Sequence, residues 1–203
     1  MPEHYVVVQG LKLPASLGGH PALDFCNTRA GWNGHPQTEY LGSYEHLAVW
    51  AGFTGLLDPP RVAALTREGR RRPEAAAAAL SQAIEMRETL YRVLRDPTDF
   101  HAFSAFASWA HRASARLRLN QSDGHIQWEI DPRAGMAAAV LAVTWSAGQL
   151  LASPERAWVR ACPGRACGWL FLHPTGRRRW CTMTTCGNRE KARRFASRRG
   201  ADG

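Results

Sequence analysis

The sequence predicts an α+β fold, a mostly helical amino-terminal body with a small antiparallel sheet, followed by a short cysteine-rich module at the carboxyl end. Three observations predict it. Apolar residues recur at helical spacing through much of residues 43 to 152, two short strings alternate as strands do, and the last 48 residues hold four of the five cysteines and all the excess positive charge. A chain of 203 residues is long enough to bury a core without covalent staples.

The string YVVVQ at 5 to 9 reads as a strand, and GGHPALDFCNTR at 18 to 29 is ambiguous. Ser43 followed by Tyr44 and Glu45 opens a helix with Leu47, Trp50 and Phe53 on one side. A short helix follows Asp58, where Pro59 and Pro60 suit a first turn. The clearest helix starts at Pro73 and stops at Asp96-Pro97, with a stripe of Leu80, Ala83, Ile84, Leu90, Tyr91 and Leu94 interrupted by Arg87. A further helix from Thr98 places Phe100, Phe103, Phe106, Ala107, Ala110 and Leu117 together as a core face. Residues 116 to 130 alternate around Ser122-Asp123-Gly124 and predict a hairpin, which with the amino-terminal strand makes the small sheet. Residues 133 to 152 are apolar nearly all round and predict a buried central helix. Ser153-Pro154-Glu155 ends the body, so the domains are expected at 1–153 and 157–203.

The net charge of +9 is uneven: residues 156 to 203 hold 12 Lys and Arg against 2 Asp and Glu, and the body is close to neutral. Codon bias would raise arginine evenly and would not deplete acids locally, so the tail reads as a polyanion-binding module. A solvated basic helix without a partner is the bland alternative. No segment approaches the roughly 18 apolar residues that span a bilayer, and MPEHYVVVQG lacks the pattern of an export signal. The expectation is a cytoplasmic, reducing location without membrane contact.

Cys162, Cys167, Cys181 and Cys186 are spaced C-x4-C-x13-C-x4-C, and each pair ends in Cys-Gly. A thiol pair a few residues apart can chelate from one bend, and two such pairs make the tetrahedral thiolate site that zinc prefers. The glycine after each second thiol admits a tight backbone. In a reducing compartment this pattern reads as metal before disulfide. Redox or structural cysteines, and iron, are the alternatives, and His173 could replace one thiolate. Zinc would supply folding energy that a 48-residue tail lacks. Cys26 has no sequence partner and reads as a small buried hydrophobe.

Between the pairs, Trp169 to Leu172 and Arg178 to Trp180 are expected as two strands around Pro-Thr-Gly, and after Cys181 a helix capped by Thr184 or Thr185 should carry the last ligand. Loop, hairpin and helix together make a treble-clef-like zinc finger. On a helical wheel Ala192, Phe195, Ala196 and Arg199 share the face that should pack on the hairpin, and Lys191, Arg194 and Arg198 face out. Arg177, Arg178, Arg179, Arg189, Lys191, Arg193, Arg194 and Arg198 are the candidate nucleic-acid contacts, since the guanidinium fork donates bidentately to phosphate.

The string RWCTMTTCGNREKARR, with CPGRACGWLFL before it, resembles the CGNR zinc-finger family of bacterial proteins. The resemblance implies that Cys162, Cys167, Cys181 and Cys186 are zinc ligands. His173 stands where that family usually has aspartate. GGHPALDFCNT is similar to the opening motif of the ABATE domain that usually accompanies this finger. Together they imply a stress-related transcription regulator with a sensing body and a DNA-binding finger acting at the nucleoid.

Asp24, Asn27, Thr28 and Arg87 form a candidate pocket, in which Arg87 pairs with Asp24 or with a small anionic effector; a structural ion pair is the alternative. The leading function is a zinc-dependent DNA-binding regulator. An RNA-binding or protein-adaptor module with a purely structural zinc is the other reading. Trp169, Phe171 and Trp180 read as core rather than as stacking platforms for bases, which favours DNA. Catalysis is not expected, because the chain has no P-loop, dinucleotide fingerprint, Ser-His-Asp order or HExxH string, and four thiolates leave zinc no open position. A single finger reads few base pairs, so a homodimer formed through the body would suit a palindromic site.

Overall fold

The computed structural model describes residues 5–34, 38–122 and 124–199, apart from the side chains of residues 122, 125, 198 and 199. Strands β1 (Tyr5–Val8) and β2 (Leu11–Pro14) pair in antiparallel register, Val8 opposite Leu11. Gln9 and Gly10 close the turn with φ of 51° and 80°, the doubly left-handed geometry of a two-residue hairpin loop. The single small sheet expected from the sequence is therefore not formed: among the described residues the strands make separate two-stranded pairs, because each finds its partner locally. The ambiguous motif at 18 to 29 resolves into helix α1 (Pro21–Cys26) followed by β3 (Arg29–Ala30), which pairs with β4 (Thr38–Glu39).

The helices begin where their caps dictate. Ser43 accepts a hydrogen bond from the His46 amide at the start of α2 (Tyr44–Phe53), and Asp58 accepts one from the Arg61 amide at the start of α3 (Pro59–Arg71). The helix after Asp58 is longer than expected, at 13 residues. Helix α4 (Pro73–Arg95) starts on proline and buries Ala83, Met86, Arg87, Leu90, Tyr91, Val93 and Leu94. Asp99 caps α5 (Phe100–Ser114) by accepting from the Ala102 amide.

Only part of the anticipated face of α5 is inward: Phe106 is buried and Ala110 and Leu117 pack against the core. Ala102, Phe106, Trp109 and Ala113 are buried, whereas Phe100, Phe103 and Ala107 are exposed and Leu117 belongs to the next strand. The inward face mixes Ala102 and Ala113 with Phe106 and Trp109 and packs on α4 and α6, while Phe100 and Phe103 fall on the far side. Strands β5 (Leu117–Ser122) and β6 (His125–Ile130) form the expected hairpin.

A 3₁₀ turn at Pro132–Ala137 leads into α6 (Ala138–Ala152), which is buried on nearly every side and packs on α1, α2, α4 and α5. The hydroxyl of Tyr44 donates to the Met136 carbonyl at 2.8 Å and ties α2 to its entry. Contrary to the expectation from the sequence, the 21-residue run Pro132–Ala152 is long and apolar enough to cross a membrane; here most of it is interior. Residues 154 to 158 make one more 3₁₀ turn before β7 (Val159–Ala161), which pairs with β8 (Leu170–Leu172). Arg178 to Trp180 is not a strand; β8 finds its partner upstream in β7 instead. The last described elements are a π turn, Met183–Gly187, and helix α7 (Asn188–Arg199).

Candidate metal centre

The two cysteine loops fold toward each other from opposite ends of the carboxyl-terminal segment. In the first, the Cys162 amide donates to the Trp169 carbonyl at 2.8 Å and the Cys167 amide to Gly164 at 3.0 Å, which bends residues 162 to 169 back on themselves. Gly168 has φ of +74°, and a Cβ there would stand 2.6 Å from the Trp32 Cβ, so both the turn and the close approach require glycine. In the second loop Thr182, rather than Thr184 or Thr185, is the cap: its hydroxyl accepts from the Thr184 amide at 3.2 Å, and Cys186 lies within the π turn that enters α7.

The four sulfurs of Cys162, Cys167, Cys181 and Cys186 all lie within 4.8 Å of one another and are buried. Cys167 and Cys181 are 3.7 Å apart and Cys181 and Cys186 are 3.5 Å apart. A tetrahedral ion with metal–sulfur bonds of about 2.3 Å spaces its ligands about 3.8 Å apart, so the quartet fits zinc-sized coordination. Gly164 makes room for it: a Cβ there would lie 3.2 Å from the Cys186 sulfur. The group comprises four sulfurs and not His173. The thiols perturb one another, the hydrogen bond from Cys167 holding Cys162 low and the hydrogen bonds to Cys162 pushing Cys167 and Cys181 up. Thiolates packed this closely repel, and a cation among them removes the conflict. Four protein ligands would fill a tetrahedral coordination sphere.

The centre is sewn to the body by the amino-terminal motif. Asn27 donates through Nδ2 to the Leu170 carbonyl at 2.9 Å and accepts from the Leu170 amide at 2.8 Å, so one side chain completes the free edge of β8. The Leu172 amide donates to the Gly18 carbonyl at 2.8 Å, and the Trp169 indole to the Arg29 carbonyl at 2.9 Å. Asp24 is buried and accepts from the Gly18 amide at 2.7 Å. It thereby shapes the loop whose carbonyls hold the finger. Burial pushes its carboxyl up to about 6 despite that hydrogen bond and the field of Arg178.

The expected pairing of Asp24 with Arg87 is not present. Arg87 is fully buried and donates to both carboxylate oxygens of Glu39, at 2.7 and 2.5 Å, and to the Thr28 hydroxyl at 2.8 Å. Thr28 in turn donates to the Phe25 carbonyl. Asp24, Asn27, Thr28 and Arg87 thus divide between two networks: Asp24 and Asn27, from α1 and its cap, hold Gly18 and Leu170 under the finger, whereas Arg87 reaches Thr28 and Glu39 from α4. Glu39 and Trp32 were not legible from the sequence, and Tyr91 was legible only as part of an apolar stripe; the contacts each makes here span separations that carry no periodic signal.

The basic residues also divide. Arg178 donates to the carbonyls of Leu17 at 2.7 Å, Trp180 at 3.2 Å and Cys181, and lies over the Phe171 ring. Its fork is occupied by the fold. Arg177 and Arg179 are exposed, as are Arg189, Lys191, Arg193 and Arg194 along α7. Glu190 pairs with Arg193 at 2.5 Å and Arg194 at 3.2 Å. The side chain of Arg198 lies outside the described residues. Phe195, expected to pack on the hairpin, is 62% exposed, and α7 continues directly from the π turn.

Two family models match. A CGNR zinc finger matches residues 158–199, which with the geometry makes the quartet a metal site. The ABATE model, described as "Putative stress-induced transcription regulator" and not as an enzyme, matches residues 19–166. No curated protein matches the chain. Convergent thiols, the motif that anchors them and a match over most of the length agree: the chain belongs to the ABATE family and carries a CGNR zinc finger.

Proposed function

We propose that the protein is a zinc-dependent, DNA-binding transcription regulator working in the cytoplasm at the nucleoid, with a body at 1–153 and a finger at 157–203. The observation that carries this reading is helix α7, which follows directly on the π turn that holds the last ligand and carries Arg189, Lys191, Arg193 and Arg194 exposed. Zinc supplies rigidity at its root and no reaction. Exposed arginines on a short helix can reach phosphates, and Arg177 and Arg179 add to the field. Glu190 holds Arg193 and Arg194 along the helix surface, so a phosphate that binds there shares those two groups with it or displaces it. Fragments of genomic DNA selected with metal-loaded protein should bind with an affinity that falls with salt, at a slope of about −0.9 per phosphate contacted. Binding that is indifferent to salt overturns the proposal.

The exposed ring of Phe195 supports RNA as the second reading, because unpaired bases stack on aromatic side chains. Competition between duplex DNA and structured RNA separates the two. A small anionic effector in the body loses its simplest site, since Arg87 is occupied by Glu39.

A further inference from the structure

The β5–β6 hairpin has two chemically different faces. On one, Arg118 is paired with Glu129, and Asn120 donates to Glu129 at 3.1 Å. On the other, Leu117 and Ile130 root the hairpin in the body, and beyond them Leu119 sits opposite Trp128, followed by Ile126 opposite Gln121. Such alternation marks a sheet with one face in water and one in a core. The outer part of this apolar face nevertheless meets no core: Leu119, Ile126 and Trp128 are exposed, and the described residues offer no third strand. A two-stranded hairpin of this kind is marginal by itself.

A second apolar face lies on α5, where Phe100 and Phe103 project outward with Ala107 one turn beyond. The five large side chains of the two faces keep between 54% and 78% of their surface exposed. With roughly 150–250 Å² for an aromatic side chain and somewhat less for an aliphatic one, they hold about 600 Å² per chain. Two chains together reach about 1,200 Å², above the roughly 1,000 Å² that a specific interface needs.

We propose that these faces are the two halves of a homodimer interface, in which the hairpin of one protomer lies on the Phe100–Phe103 strip of its partner and the exchange is reciprocal about a two-fold axis. A twofold pairing of two different patches buries each of them twice and closes on itself, leaving no open edge for further growth. The hairpin gains the covered face that its alternation specifies, and the phenylalanines on α5 gain a cover that the described residues do not provide. The strand edges also become less open to uncontrolled pairing.

The test is the mass of the full, metal-loaded chain by light scattering and sedimentation. The native protein is expected at twice 22.5 kDa. Trp128→Glu and Phe103→Glu should each halve the mass while leaving the far-ultraviolet spectrum and the metal content unchanged. Mixing the two variants should restore association, since the mixed pair keeps one intact hairpin and one intact strip facing each other. A monomeric native chain, variants that keep the native mass, or a mixture that stays monomeric overturns the proposal. Because the readout is mass, it is independent of whether the finger binds DNA.

Discussion

The indole of Trp32 stacks on the ring of Tyr91 with centroids 3.7 Å apart and planes 5° from parallel, and both residues hold the first cysteine loop. The Trp32 amide donates to the Cys167 carbonyl at 3.0 Å and the Tyr91 hydroxyl to the Gly168 carbonyl at 2.8 Å. The metal centre is therefore positioned by α4 and the loop after β3 as well as by its own ligands.

Tyr91→Phe keeps the stack and removes only the hydroxyl, leaving a buried carbonyl without its donor. The expected loss is about 1–2 kcal/mol in denaturant unfolding, with the metal released more readily to a chelator. An unchanged unfolding midpoint and unchanged release rate would show that the hydroxyl does not anchor the loop.

Cys186→Ser should reduce metal binding from one ion per chain to substoichiometric levels, measured by elemental analysis. Loss of that ligand frees the π turn and α7, while the body keeps its helices, because α1 through α6 bury a separate apolar core. Helical signal should therefore fall by the share of α7 alone. Collapse of the whole circular dichroism spectrum would contradict a body that folds around its own core.

Asp24 gives a pH dependence whose sign follows from its raised pKa of about 6. Between about pH 4 and pH 6 the native chain holds the proton that the unfolded chain has already released, so stability falls as pH rises through that window, by about 3 kcal/mol in all. Asp24→Asn cannot ionise and should lack this fall. Metal loss in acid works in the opposite direction and is common to both proteins, so the difference between their urea-unfolding profiles isolates Asp24. Parallel profiles would sink the assignment.

Arg178 and the α7 arginines should separate in their effects. Arg178→Ala removes donors from three carbonyls and should lower thermal stability and metal retention. The double replacement Arg193→Ala, Arg194→Ala touches only exposed side chains, so stability should change by no more than about 0.5 kcal/mol. Nucleic-acid affinity should drop, and the salt slope should become shallower by about 1 per lost phosphate contact.

What the sequence determined by itself is what depends on near neighbours. The starts at Ser43 and Asp58, the prolines that open α3 and α4, the hairpin of β5 and β6, and the spacing of the four cysteines all act within a few residues, so their physics is present in the string. The charge asymmetry and the family motifs were legible for the same reason. Tertiary structure alone decided the rest. Arg87 found Glu39 rather than Asp24, Asn27 completed the edge of β8, Arg178 turned inward among neighbours that look alike on paper, and α5 put Phe106 and Trp109 inside and Phe100 and Phe103 outside. Each outcome depends on which surfaces arrive opposite one another once the chain has folded, and a buried donor or ring takes the partner that geometry brings within reach.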